Sequence, residues 1–83
     1  MSVFFVTFRS VTLAQRGERV LNRGKISSQL QRTPRWMEEQ GCGYALRVRG
    51  DEAERAVQLL RENGIHFRKV YRQQGSAVEE AEL

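Results

Sequence analysis

The chain of 83 residues contains one cysteine, one proline and one histidine, and only two of its 14 basic residues are lysine. A single cysteine excludes an intramolecular disulfide, and one histidine beside it falls short of any zinc-ligand set. No apolar run approaches the roughly 20 residues that a membrane-spanning helix needs. These shortages exclude a disulfide-stabilised scaffold and a structural zinc domain, and they give no indication of a membrane protein.

The short length limits the chain to a simple architecture, and its first residues indicate the compartment. A chain of 83 residues forms one small domain, which buries only a modest part of its surface. Its first residues lack a basic region and reach Arg9 too early for a secretory signal peptide. We therefore expect a cytoplasmic protein whose thiol is kept reduced.

Charge is distributed unevenly along the chain. Residues 1–72 hold all 14 basic residues and seven of the ten acidic ones, whereas residues 73–83 hold three glutamates and no base. The tail is also poor in apolar residues, a composition that does not favour a packed element. We expect a single domain over residues 1–72, followed by a mobile acidic tail over residues 73–83.

The first half of the chain predicts a strand, a helix and a second strand. Apolar and aromatic residues alternate over residues 3–8, and Ser10 or Thr12 can cap a helix over residues 12–23, which Gly24 ends. Gly17 inside that helix favours a close approach to the sheet. A weaker strand over residues 25–31 ends before Pro34.

The second half repeats this order. Residues 44–48 alternate as a strand with one buried face, and residues 65–71 supply a last strand. Between them, Asp51 and Glu54 resemble a capping box at the start of a helix that ends at Gly64. The tail after these elements predicts no element of its own.

The order strand, helix, strand, strand, helix, strand predicts the ferredoxin-like split β-α-β arrangement. This is an α+β fold in which two helices cover one face of a four-stranded antiparallel sheet. The alternation of apolar residues in the first and third strands predicts which side chains face the helices. We expect contacts between the strand residues Phe4, Val6, Phe8, Tyr44, Leu46 and Val48 and the helix residues Leu21, Val57 and Leu60.

The candidate functional residue is Cys42, which lies between Gly41 and Gly43 in the connection before the third strand. Glycines leave a thiol uncovered and offer bare amides beside it, which favours an exposed, reactive cysteine over a buried one. The nearest basic residues in sequence, Arg35 and Arg47, are candidate activators of the thiolate. Negative charge close to the thiol, from residues 38 and 39, would act in the opposite direction.

Several short motifs are distributed over almost the whole predicted domain. The most specific is Thr33-Pro34-Arg35 followed within ten residues by Cys42-Gly43 at the start of a strand. Other matching stretches are Thr7-Phe8-Arg9-Ser10 and Glu62-Asn63-Gly64-Ile65. Together these residues resemble a family of small bacterial domains described as selenium/sulfur carriers.

This resemblance implies a ferredoxin-like fold and a cysteine, here Cys42, that carries sulfur or selenium. It favours a carrier protein over a stand-alone enzyme. Its partners would be the donor and acceptor proteins of the transfer, and no cofactor is implied. Gly41, Gly43, Arg35, Arg47, Thr33 and Pro34 would support the cysteine.

Two other functions remain open on the sequence alone. The domain could be a protein-interaction or regulatory module, in which copies pair through an exposed sheet edge. RNA-recognition motifs share the predicted strand order, and the chain is rich in arginine. However, the third strand offers a single aromatic residue, Tyr44, and its alternation directs this ring toward the helices. We therefore expect no nucleic-acid partner.

Overall fold

The computed structural model describes residues 2–33 and 43–83 of the chain. These residues form seven regular elements and one short 3₁₀ turn, Gly50–Glu52. The strands and helices are, in chain order, β1 (Ser2–Phe8), α1 (Val11–Arg23), β2 (Ser28–Arg32), β3 (Tyr44–Arg49), α2 (Ala53–Glu62), β4 (Val70–Gln74) and β5 (Ala77–Ala81).

The strands form one sheet in the order β2-β3-β1-β4-β5, and every neighbouring pair is antiparallel. The predicted α+β class is therefore confirmed, with two helices in the described part of the chain. The prediction of four strands is wrong, because the described residues include a fifth strand.

The main core lies between the sheet and both helices. Val6 and Phe8 of β1 and Leu46 of β3 are fully buried, together with Leu21 of α1 and Leu60 of α2. Phe4, Val48 and Val57 belong to the same cluster, and Tyr44 packs against it. The predicted choice of the sheet face that contacts the helices is thus confirmed.

The opposite face of the sheet, which we call the second face, carries a smaller apolar cluster. Phe5 and Ala45 are buried there, and partly buried Val3, Tyr71 and Val78 pack against them. Only 5% of the surface of Phe5 is exposed. The sequence analysis did not predict this cluster, because it assigned only one apolar face to the sheet.

The last predicted strand begins later than expected. Residues 65–69 are not part of β4, and the backbone N–H of Ile65 instead donates to the carbonyl of Leu60 at the end of α2 (2.9 Å). Lys69 is held by Thr7, whose hydroxyl donates to the Lys69 carbonyl (3.1 Å) and accepts from its N–H (3.0 Å). Two backbone bonds add to these, from the N–H of Thr7 to the carbonyl of Lys69 (2.9 Å) and from the N–H of Arg68 to the carbonyl of Thr7 (2.7 Å), so the chain joins β1 before the regular ladder starts at Val70.

The two helices begin differently. Ser10 caps α1, since its hydroxyl accepts from the N–H of Leu13 (3.2 Å), as predicted. The capping box predicted at Asp51 is wrong. Asp51 lies in the 3₁₀ turn, where its carboxylate accepts from Arg49 (3.2 Å), and α2 starts after Glu52 without a side-chain cap.

The tail after residue 72 also departs from the prediction. Residues 73 and 74 complete β4, and Ala77–Ala81 form β5, so the expectation that this stretch builds no element is wrong. Gly75 adopts a left-handed conformation (φ 62°), which permits a two-residue turn between β4 and β5. Val78 adds apolar contact on the second face, and this contact compensates for the polar composition of the tail.

Candidate functional site at one end of the sheet

The site predicted around Cys42 adjoins the ends of β2 and β3. The N–H of Thr33, just after β2, donates to the carbonyl of Gly43, just before β3 (3.1 Å). This bond holds the two chain positions that flank residues 34–42 side by side. Pro34, Arg35, Gly41 and Cys42 lie outside the described residues. Thr33 and Gly43 are the predicted site residues that the structure brings together.

The side chain of Thr33 has an unusual environment. Its Oγ1 atom is buried and has no hydrogen-bond partner among residues 2–33 and 43–83. A buried hydroxyl without a partner is destabilising, so native proteins retain few of them. The backbone N–H of the same residue, Thr33, binds the carbonyl of Gly43, and Gly43 directly follows Cys42 in the chain.

Two arginines that the sequence analysis did not select lie close to Gly43. Arg32 is directly opposite Tyr44 in the pairing of β2 with β3. Arg9 follows Phe8, which is opposite Tyr44 in the pairing of β1 with β3. Both arginines are exposed. The predicted sheet topology could have identified them, because residues at the ends of neighbouring strands meet at one sheet edge.

Arg47, which the sequence analysis grouped with Cys42, lies further away. It is four residues beyond Gly43 along extended β3, which separates their Cα atoms by roughly 13 Å at about 3.3 Å per residue. It pairs with Phe5 of β1 and Gln29 of β2 on the second face. Among the arginines in residues 2–33 and 43–83, Arg9 and Arg32 are therefore the ones whose backbone positions adjoin Gly43.

The described part of the chain lacks two features that would indicate other functions. No group of three or more His, Cys, Asp or Glu residues within it could hold a metal ion. Neither of its helices is long and apolar enough to cross a membrane.

The structure therefore defines a small α+β domain whose single cysteine directly precedes a residue fixed at one end of an antiparallel sheet. Residues 4–72 match the family described as "Putative Se/S carrier protein-like", and the chain belongs to this family. The match confirms the family resemblance seen in the sequence. No curated protein and no solved structure matches the chain.

Proposed function

We propose that this protein carries sulfur or selenium on Cys42 and passes the atom to a partner enzyme. The observation that carries this proposal is the family match over residues 4–72, which includes Cys42. The hydrogen bond between Thr33 and Gly43 supports it, because it fixes a neighbour of the cysteine at the end of the sheet.

The proposed transfer needs no external oxidant or reductant. The Cys42 thiolate attacks the terminal sulfur of a donor persulfide, R–S–SH, and a new S–S bond forms. The S–S bond of the donor breaks, and the donor leaves as the thiolate R–S⁻. An acceptor thiolate then takes the same sulfur from Cys42 in the same way. A perselenide donor would deliver selenium through an equivalent exchange.

Positive charge near the thiol would favour the reactive thiolate form. Arg9 and Arg32 adjoin Gly43 by strand pairing and carry long, exposed side chains. They are better placed for this role than Arg47. Arg35 remains a candidate on its sequence position alone, and Gly41 would leave the thiol accessible.

The strand order and the single cysteine support two further parts of this proposal, the fold and the compartment. We infer that β1 to β4 and the two helices form a ferredoxin-like core, to which β5 is an addition; the order β2-β3-β1-β4 supports this. The donor and acceptor would be proteins of a reducing cytoplasm, where the single cysteine stays free to exchange.

Intact mass spectrometry after incubation with a persulfide donor tests the proposal directly. The wild-type protein should gain the mass of one sulfur atom, and addition of a thiol acceptor should remove it. The Cys42→Ser variant should fold normally and gain no mass. Parallel incubation with a perselenide donor determines whether selenium is accepted as well.

Two results would contradict this function. The first is an unchanged mass for the wild-type protein under conditions that load an unrelated reactive thiol. The second is a loss of unfolding free energy in Cys42→Ser on the scale of a core truncation, about 2 kcal/mol or more. Such a loss would mean that the thiol serves packing.

A further inference from the structure

A cleft of about 710 Å³ lies on the sheet at the far end of β3 from Gly43. Its volume falls within the range of roughly 300–1,000 Å³ that is typical of small-molecule sites. The cleft is formed where the start of β1, the approach to β2 and the end of β3 come together. The described residues that matter for its chemistry are Val3, Ser27, Ser28, Gln29, Arg47 and Arg49.

The charges in this cleft do not cancel. Arg49 forms an ion pair with Asp51 at the rim (3.2 Å). Arg47 has no hydrogen bond or ion pair with any residue in the described ranges, and its side chain is exposed. Glu80 is in the same cross-sheet row as Arg47 but binds Lys69 (3.5 Å). The cleft therefore retains the positive charge of Arg47.

The other residues that line the cleft supply polar groups and an apolar surface beside Arg47. Ser27, which precedes β2, also lines the cleft, and Gln29 is opposite Arg47 in the β2–β3 pairing. Val3 contributes apolar surface on the β1 side. A guanidinium group binds the two oxygens of a carboxylate or phosphate at once, and hydroxyl and amide donors can add to this.

We propose that this cleft binds a small organic anion with a carboxylate or phosphate head group on a compact apolar body. The head group binds Arg47 with the amide of Gln29 and the hydroxyl of Ser27, and the apolar body packs against Val3. The cleft is at the other end of β3 from Gly43, because Arg47 lies four residues along the strand from it. Binding therefore goes beyond the proposed carrier function and does not depend on it.

Amide chemical-shift mapping by NMR, with the full chain, tests this proposal. The probes are benzoate, phenyl phosphate, inorganic phosphate and benzyl alcohol, which has the same ring without a charge. Benzoate or phenyl phosphate should shift the amides of Ser28, Gln29 and Arg49 in a saturable way. The stronger of the two identifies the head group. Inorganic phosphate and benzyl alcohol should each bind more weakly.

Matched variants connect the shifts to the cleft. Arg47→Gln should weaken binding about tenfold, the expected effect of losing one charged hydrogen-bonding partner. Arg16→Gln removes an exposed arginine of α1 and should leave the affinity unchanged, as should Cys42→Ser. The proposal is overturned by an absence of saturable shifts, by equal affinity for benzyl alcohol, or by an unchanged affinity in Arg47→Gln.

Discussion

Two threonine hydroxyls in this domain have opposite hydrogen-bonding environments. The hydroxyl of Thr7 both donates to and accepts from the backbone of Lys69, which connects β1 to the chain that leads into β4. The hydroxyl of Thr33 is buried without a partner among the described residues. Replacing each threonine by valine keeps the shape of the side chain and removes only the hydroxyl.

We expect Thr7→Val to lower the free energy of unfolding by about 2 kcal/mol, because it leaves the N–H of Lys69 without its partner, although the Lys69 carbonyl keeps its bond from the N–H of Thr7. Thr33→Val should leave the free energy unchanged or raise it by up to about 1 kcal/mol, since no bond is lost. Urea denaturation of both variants measures the difference. A large loss in Thr33→Val would show that this hydroxyl has a partner in the native protein.

Lys25 carries backbone strain at the end of α1. Its φ angle is 63°, in the left-handed region, and its N–H donates to the carbonyl of Asn22 (3.0 Å). The residue expected to end the helix, Gly24, has an ordinary φ of −81°. A lysine in the left-handed region costs about 1–2 kcal/mol relative to the usual helical conformation.

We therefore expect Lys25→Gly to raise the free energy of unfolding by about 0.5–1 kcal/mol, after allowance for the greater freedom of glycine in the unfolded chain. Lys25→Ala is the control: it removes the same charged side chain and keeps the strain. Chemical denaturation should rank the glycine variant above both the alanine variant and the wild type. Equal stability of the glycine and alanine variants would contradict this explanation.

At the scale of the elements, α1 packs on the sheet through Gly17. A β-carbon at this position would lie 3.1–3.2 Å from side-chain atoms of Phe8, Leu46 and Leu60, which belong to three different elements. These distances are short, so a β-carbon already requires the three side chains to shift by a few tenths of an ångström, and a larger residue requires more. The sequence analysis predicted this close approach from the glycine alone.

Gly17→Leu should lower the free energy of unfolding by about 2 kcal/mol, because the added atoms overfill the core. Gln15→Leu places the same side chain on the exposed side of α1 and should change the stability by less than about 0.5 kcal/mol. Thermal or urea unfolding of the pair gives the comparison. Similar stabilities for the two variants would show that the core can expand at Gly17.

The elements with regular periodicity were predictable from the sequence, and those stabilised by irregular contacts were not. The alternation in β1 and β3 predicted which residues face the helices, and Ser10 predicted the start of α1. The late start of β4 was missed because the pairing before Val70 is irregular, with both the backbone and the side chain of Thr7 bonded to residues 68 and 69. For the candidate site, sequence reasoning selected Thr33 and Gly43 but missed Arg9 and Arg32, whose proximity follows from strand pairing.

The fifth strand is another element that the sequence analysis did not predict. A Gly75-Ser76 pair between two short stretches is a hairpin signal that the acidic composition obscured. The ion pairs of β5, one between Glu79 and Arg72 of β4 and one between Glu80 and Lys69 just before β4, are exposed. Such pairs contribute little stability. The packing of Val78 on the second face is the more substantial contact, and no charge pattern predicts it.

For the whole molecule, the second face bears on the RNA-binding alternative. RNA-recognition motifs present aromatic rings on the sheet for base stacking, whereas Phe5 is almost fully buried here. We expect negligible retention of single-stranded RNA at physiological salt, and alkylation of Cys42 at neutral pH faster than that of free cysteine. Filter binding over a salt series and alkylation followed by mass spectrometry measure the two properties.

Each outcome of this comparison has a distinct meaning. Tight RNA binding that weakens steeply with salt and is indifferent to a blocked Cys42 would contradict the carrier function. Sluggish alkylation would contradict the activation of the thiol by Arg9 and Arg32. The Arg9→Gln and Arg32→Gln variants should each slow alkylation, while Arg16→Gln should leave its rate unchanged.

The bond between Thr33 and Gly43 also makes this domain a scaffold for protein engineering. It joins the two residues that flank the nine-residue segment 34–42. Because the β2–β3 pairing is fixed beside this bond, we expect the register of the two strands to tolerate a segment of another length. Doubling the length of such a segment costs only about 0.6 kcal/mol in closure entropy. Peptides with other thiol motifs could therefore replace residues 34–42, and the same five strands would display each of them at one end of the molecule.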